Sequence, residues 1–284
     1  MKFGNITVII PVKDRFELLL KALESINNQT LIPKLVILID DKSKTQLKLN
    51  IKYKFKYKIF KNDKNIGVSA SRNKGIELCK TKYICFIDTD DIWTKDKLKL
   101  QYNLAIKNKL DFVYCNFKNS KLKKNSENNK DIFKRLINLW SNPNCSSMFF
   151  KTKSLKKIGS FDTRLKGSED HDLWFRLSIS KLKINYINKN LVKTEKFNFL
   201  QISRNYKLRK ESLEIFFNKY KKLIPEKKYM NFKKYIYTKA FIPVLNAAIK
   251  KYEIIIILKC LRHLIFSKLF YKRYLLLLVR NFFN

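Results

Sequence analysis

Tyr83-Ile-Cys-Phe-Ile-Asp-Thr-Asp-Asp91 is the stretch on which the reading of this chain turns. Its five apolar residues, aromatic and β-branched among them, read as a buried strand. Three carboxylates follow within four residues. Like charges so close repel one another. The segment therefore suits either a solvated turn or the seat of a divalent cation, which takes oxygen ligands and bridges carboxylates to a substrate phosphate.

Outward from this segment, strands and helices alternate. Ile6-Thr-Val-Ile-Ile10 and Leu35-Val-Ile-Leu-Ile39 are two more buried strands, and Lys58-Ile-Phe60 is a third, short one. Phe16 to Ile26 carries apolar residues at 16, 19, 20, 23 and 26, which is helical spacing. Ser69 to Cys79 reads as a helix with Ser69 near its N-cap. Thr94 caps a helix running to about Asn108, and Phe112-Val-Tyr-Cys115 is the strand after it. The alternation predicts an α/β fold, a Rossmann-like and mostly parallel sheet flanked by helices.

In such sheets ligands sit outside the carboxyl ends of the strands. The residues just past each strand are therefore the candidates: Pro11-Val-Lys-Asp14, Asp40-Asp41 and Asp88-Thr-Asp-Asp91. The helix start at Ser69 to Arg72 should lie near the same edge. Asp41 can accept from a nucleobase N–H or serve as a turn residue. Arg72 can engage phosphates or pair with the acidic cluster. Further on, residues 118–130 read as a polar surface loop, and 131–200 is irregular apart from a helix at Ser168 to Ile179. Ser168 caps that helix, with Asp170 in its first turn. A carboxylate there is kept ionised and oriented, as a base for a sugar hydroxyl or simply as a capping acid. His171 is read as structural.

Composition narrows the classes. In 284 residues, 45% are hydrophobic, enough for a packed core, and Gly and Pro number five each, which excludes collagen-like and linker chains. Lys and Arg number 62 against 23 acids, for a net charge of +39 and a pI near 10.0. Such charge raises nucleic-acid binding as a class. The chain has no zinc-finger or RNP-type motif, and its acidic cluster would sit badly against phosphates, so no nucleic-acid partner is expected. A noncatalytic scaffold with a decayed site is the other alternative; retention of Asp88, Asp90 and Asp170 argues against it. The five cysteines, at 79, 85, 115, 145 and 260, are odd in number and form no C-x-x-C pair. They read as reduced, buried thiols of a cytosolic protein.

The first apolar run stops at Pro11, unlike a secretory signal. Ile254 to Val279 is broken by Lys259, Arg262, Lys268, Lys272 and Arg273, so no transmembrane helix is expected. Residues 204–284 are helical and basic, with 20 Lys or Arg against four Glu. Tyr229 to Lys251 and Ile254 to Val279 interleave these cations with apolar residues. That pattern suits an anionic membrane surface, or packing on the catalytic domain or a second subunit. The expected division is 1–203 and 204–284, and the expected location is cytoplasmic and peripheral on the inner membrane face.

In order and spacing, Ile9-Ile-Pro-Val-Lys-Asp-Arg15, Ile39-Asp-Asp-Lys-Ser43, Asn65-Ile-Gly-Val-Ser-Ala-Ser-Arg-Asn73, Phe86-Ile-Asp-Thr-Asp-Asp91 and Glu169-Asp-His-Asp-Leu-Trp174 resemble glycosyltransferase family 2. The likeness covers about residues 4–180. It implies a GT-A catalytic domain over 1–203, a UDP-linked sugar donor, a divalent metal (Mn²⁺ or Mg²⁺) and inversion at the anomeric carbon. By the same resemblance, Pro11, Val12 and Asp14 line the nucleotide pocket, Asp41 contacts the base, and Arg72 sits near the nucleotide. Asp88 and Thr89 fall to the donor and Asp90 and Asp91 to the metal; which of the three carboxylates ligates it is open. Asp170 matches the general base. The implied role is transfer of a hexose or N-acetylhexosamine to a glycan or lipid-linked glycan acceptor in bacterial surface polysaccharide or lipooligosaccharide synthesis. Lys13 stands where the family usually has an aromatic residue, Asp14 where it has Asn, and Lys42 where it tends to have Gly.

Overall fold

The computed structural model describes residues 2–117, 144–194, 205–223 and 253–266, with single positions between 233 and 248. The loop expected at 118–130 lies outside them. The β-branched runs become β1 (Phe3–Val12), β2 (Ile32–Asp40), β3 (Lys56–Lys61) and β4 (Tyr83–Phe86). All four run parallel, in the order β3-β2-β1-β4. Helices α1 (Phe16–Asn27), α2 (Val68–Leu78) and α3 (Lys97–Lys107) connect and cover them.

Strand β1 is apolar at successive positions because both of its faces are buried. Ile6, Val8, Ile10 and Val12 share one layer with Leu19, Ala22, Leu23 and Ile26 of α1. Ile9 points into the other, with Ile37, Ile39 and Ile76 of α2. Gly75 lets α2 lie close on this face: a Cβ there would stand 2.7 Å from Ile9 Cγ2.

The sheet continues through elements the sequence reading did not resolve: β5 (Asp91–Trp93), β7 (Met148–Lys151) and β8 (Ile184–Thr194), with β6 (Phe112–Phe117) among them. The full order is β3-β2-β1-β4-β7-β6-β8-β5. Strand β7 runs antiparallel to both β4 and β6, and β5 antiparallel to β8, so the sheet is mixed but mostly parallel in its first half. A short helix α4 (Thr152–Lys157) follows β7. Helix α5 (Glu169–Ile179) buries Leu173, Trp174 and Leu177 in the layer that also holds Phe86, Phe112 and Phe161. The Trp174 ring meets Phe112 and Tyr114 edge-on, at 5.2 and 5.0 Å.

Two helix starts differ from expectation. The α2 N-cap is Gly67, at φ 87, rather than Ser69, because the loop before it turns through a left-handed residue. The α3 N-cap is Asp96 rather than Thr94. The Thr94 backbone is committed elsewhere: its N–H donates to Leu191 O, and its carbonyl accepts from Gln29 Nε2.

The chain divides into two compact units, one of residues 1–163 with 170–198, the other of 164–169 with 199–284. In the second, α6 (Tyr206–Tyr220) buries Leu213, Phe216, Phe217 and Tyr220. Tyr237, Phe241, Val244, Leu245 and Ala248 are buried too, and Phe217 stacks on Tyr237 at 5.3 Å. The described apolar residues of the 229–251 stretch are thus core of this unit. Helix α7 (Ile254–Phe266) follows. All five cysteines are free and buried, as expected. Among the described residues no helix is long and apolar enough to cross a membrane.

Candidate active site

Parallel pairing brings the carboxyl ends of β1, β2 and β4 to one edge, with Val12 beside Asp40 and Ile9 beside Phe86. Pro11 and Val12 close β1, and the chain then turns through Asp14 at φ 51. Asp14 is tied to the turn after β2: its N–H donates to Ser43 Oγ at 3.1 Å, and its Oδ1 accepts from Lys44 N at 2.7 Å. Asp40 holds the same turn through Ser43 N at 2.8 Å. Lys42, in that turn, has φ 64. Asp14 and Lys42 both occupy the left-handed region, which Asn and Gly adopt most readily. The Lys42 backbone there is strained by about 1 kcal/mol or more.

Asp41 is 5% exposed. Its Oδ1 accepts from Asn62 Nδ2 at 3.1 Å and Ile66 N at 2.8 Å, and its Oδ2 from Gly67 N at 2.8 Å. A carboxylate offers about four lone-pair directions, so Asp41 both anchors the loop into α2 and keeps acceptor capacity on Oδ2.

Arg72, on the first turns of α2, is 3% exposed, and its Nη2 donates to Asp88 Oδ1 at 2.6 Å. Its guanidinium lies 5.3 Å from the Phe161 ring centre, and Phe161 meets Phe86 edge-on at 5.2 Å. The loop bearing Phe161 is clamped from two sides. Asn73 donates to Phe161 O at 2.8 Å and accepts from Phe161 N at 2.9 Å. From α5, Arg176 donates to Ile158 O and Ser160 O while pairing with buried Asp172 at 2.7 Å. Neither Phe161 nor Asn73 was a candidate from sequence, because an apolar residue in a loop and an amide within a helix carry no chemical signature.

The three carboxylates after β4 are not equivalent. The Asp88 side chain is 31% exposed and paired with Arg72. Asp90 is 22% exposed, with Arg15 Nη1 at 3.6 Å, and burial followed by the charge of Asp88 raises its pKa. Asp91 is 2% exposed. It accepts from Ser146 Oγ at 2.5 Å, Asn144 Nδ2 at 3.1 Å and Thr194 Oγ1 at 2.6 Å, and burial pushes its pKa up to about 7. Ser146 also accepts from Asp88 N at 3.0 Å, so one hydroxyl ties both ends of the turn. Thr89 is buried between them. Beneath lies Lys97, wholly buried. Its Nζ donates to Gln101 and stands 3.9 Å from the Trp93 ring centre, and burial lowers its pKa. Asn144, Ser146 and Thr194 come from segments read as irregular, so sequence reasoning missed them.

The charge of Asp88 opposes ionisation of Asp90, and both carboxylates are only part-buried. Two oxygen-bearing carboxylates of that kind fit a small divalent cation whose other ligands are water and a substrate diphosphate. Among the described residues no group of three or more His, Cys, Asp or Glu is arranged as a closed metal cage. Arg15 also lines a cavity of about 540 Å³ between the start of α1 and the turn after β2, with Asp14, Phe16, Ser43 and Lys44.

Asp170 occupies the second position of α5. Its Oδ1 accepts from His171 N at 2.8 Å and stands 3.6 Å from His171 Nδ1. Phe86, two residues before Asp88, and Leu173 and Trp174, which follow Asp170, share one apolar layer. The acidic turn and the base candidate are therefore anchored in the same packed stratum.

A family model described as "Glycosyl transferase family 2" matches residues 7–168. An uncharacterized glycosyltransferase of Methanocaldococcus jannaschii is 30% identical over 202 residues, covering 66% of this chain and 69% of that protein. The chain spans only 29–32% of three similar Rickettsia proteins. The Escherichia coli UDP-Glc:alpha-D-GlcNAc-diphosphoundecaprenol beta-1,3-glucosyltransferase WfgD is 26% identical over 114 residues, covering 39% of this chain and 45% of WfgD. The crystal structure of S. aureus TarS 1–349 with UDP-GlcNAc superimposes with a TM-score of 0.56 at 17% identity, over 87% of this chain and 85% of that one. At that identity the likeness is one of fold, and the fold is GT-A.

Proposed function

The chain belongs to glycosyltransferase family 2, and we propose that it moves a hexose or N-acetylhexosamine, with inversion, from a UDP-sugar to a glycan acceptor carried on a lipid. The proposed setting is bacterial surface polysaccharide or lipooligosaccharide synthesis, at the inner face of the cytoplasmic membrane. The observation that carries the reading is the pairing of Asp88 with Arg72 and of Asp90 with Arg15 at the carboxyl edge of a parallel sheet. Carboxylates and guanidiniums brought together there suit a cation-bound diphosphate better than they suit one another alone. The names of WfgD and of the TarS complex supply the donor class and, for WfgD, the lipid diphosphate acceptor.

In this reading Pro11, Val12, Asp14, Asp41 and Arg72 seat the nucleotide. Asp88 and Thr89 sit beside the diphosphate. Asp90, with Asp88, would hold Mn²⁺ or Mg²⁺; the cation supplies positive charge that stabilises the departing UDP. Asp91, which the family resemblance gave to the metal beside Asp90, is enclosed by three donors and in this reading holds the turn from below instead. Asp170 takes the proton of the acceptor hydroxyl as its oxygen attacks the anomeric carbon on the face opposite the diphosphate. The two substrates are held in line, which removes much of the entropic barrier.

The test is UDP release from a panel of UDP-sugars, with and without Mn²⁺, by the full chain and by Asp170→Asn. We expect metal-dependent release by the wild type. The variant should bind donor as before and lose turnover at least about 100-fold. Wild-type turnover in the variant would refute the base assignment; release insensitive to EDTA would refute the cation.

A further inference from the structure

Helix α7 presents a face unlike the rest of its unit. At 100° per residue, Ile254, Leu258 and Arg262 form one row and Ile255 and Lys259 the next. All five are exposed, the three aliphatic residues at 67%, 60% and 67% for Ile254, Leu258 and Ile255. The opposite side carries Cys260, fully buried, with Ile256, Ile257 and Leu261 part-buried. The helix is therefore docked on its unit by one side, and the other side holds three aliphatic side chains and two cations. The sequence of the helix, 254–266, contains no acid; Glu253 precedes it.

We propose that this face docks the protein on an anionic phospholipid leaflet. Ile254, Ile255 and Leu258 would enter the acyl boundary, with Lys259 and Arg262 at the headgroups. Thirteen residues span about 20 Å as a helix, too short to cross a bilayer and long enough to lie along one. Branched aliphatics beside basic residues are the make-up of interfacial helices. Charge chooses the occupant. A second copy would set Lys259 and Arg262 against their own equivalents with no carboxylate between them, whereas an anionic surface meets both. The described apolar residues of 236–248, Ile236, Tyr237, Phe241, Val244, Leu245 and Ala248, are buried in their own unit, so they do not compete for this role.

The inference deepens the reading above, which places the acceptor on a lipid, and its test separates the two. Vesicles of phosphatidylglycerol with phosphatidylcholine, and of phosphatidylcholine alone, are sedimented with the full chain at physiological salt. Because the whole chain carries +39, charge alone brings it to anionic vesicles. The deciding variant therefore keeps every charge: Ile254→Ser with Ile255→Ser and Leu258→Ser. Its partitioning should fall at least about 100-fold, and Lys259→Glu with Arg262→Glu should also weaken binding, by about fivefold or more per cation. Hydrogen exchange across 254–266 should slow on vesicles in the wild type only. Metal-dependent UDP release should persist in the serine variant, so its loss in every form would sink the transferase reading and leave this one standing. Unchanged partitioning of the serine variant would overturn the proposal. So would light scattering that shows a wild-type dimer turned monomer by the serines.

Discussion

Replacing Asp91 by Asn tests whether burial or hydrogen bonding governs the base of the acidic turn. The carboxyl is 2% exposed, and burial first, then the charge of Asp88, lifts its pKa from 3.8 to about 7. A carboxyl whose folded pKa is raised holds its proton more tightly when folded than when unfolded. Its contribution is therefore complete below about pH 4 and is lost as the pH climbs to about 7. Between those limits the slope is about −1.4 kcal/mol per pH unit, and the whole step is about 4 kcal/mol. The charges of Asp88 and Asp90 act on this carboxyl, and it acts on Lys97 in turn, which spreads the step. Asparagine has nearly the same shape and no charge to desolvate. The assay is urea unfolding of wild type and variant at pH 5, 6, 7 and 8, read as a difference so that distant groups cancel. Asp91→Asn should gain on the wild type by about 1 kcal/mol per pH unit up to pH 7 and level off beyond. A flat difference, or a wild type still ahead at pH 8, would refute the reasoning. It would mean that Ser146, Asn144 and Thr194 keep the carboxylate ionised against the cost of burial.

Two further outcomes follow from local geometry. Lys42→Gly relieves a left-handed backbone at an exposed position, and should raise stability by about 0.5–1 kcal/mol after the added freedom of the unfolded chain is counted; a lower melting temperature would contradict the strain. Asn73→Ala removes both bonds to the Phe161 backbone and should cost about 2 kcal/mol in urea unfolding. Asn73→Asp, which keeps the acceptor for Phe161 N, should recover part of that, and equal losses in the two variants would argue against the clamp.

The carboxylate edge was legible because each acid lies just past a strand that the sequence marks, whereas Arg15, which meets Asp90, was not singled out. A strand buried on both faces must be apolar throughout, so β1, β2 and β4 announce themselves. A parallel sheet then puts Asp14, Asp41 and Asp88 to Asp91 at one end whatever the rest of the chain does. Strand β8 was not legible: of Ile184–Thr194 only Leu191 and Val192 are buried, so neither alternation nor an apolar run marks it. Strand β5 is three residues long and exists through its pairing with β8.

The amino-acid order alone determined which carboxylates gather at the sheet edge, since unbroken apolar runs and period-3.6 burial are properties of neighbours along the chain. What only the tertiary structure decided is how those carboxylates differ. Asp88 and Asp90 each meet an arginine and some solvent, while Asp91 is closed in by Asn144, Ser146 and Thr194. The donors that close Asp91 in come from 53 to 103 residues away, and a string of four residues carries no record of them.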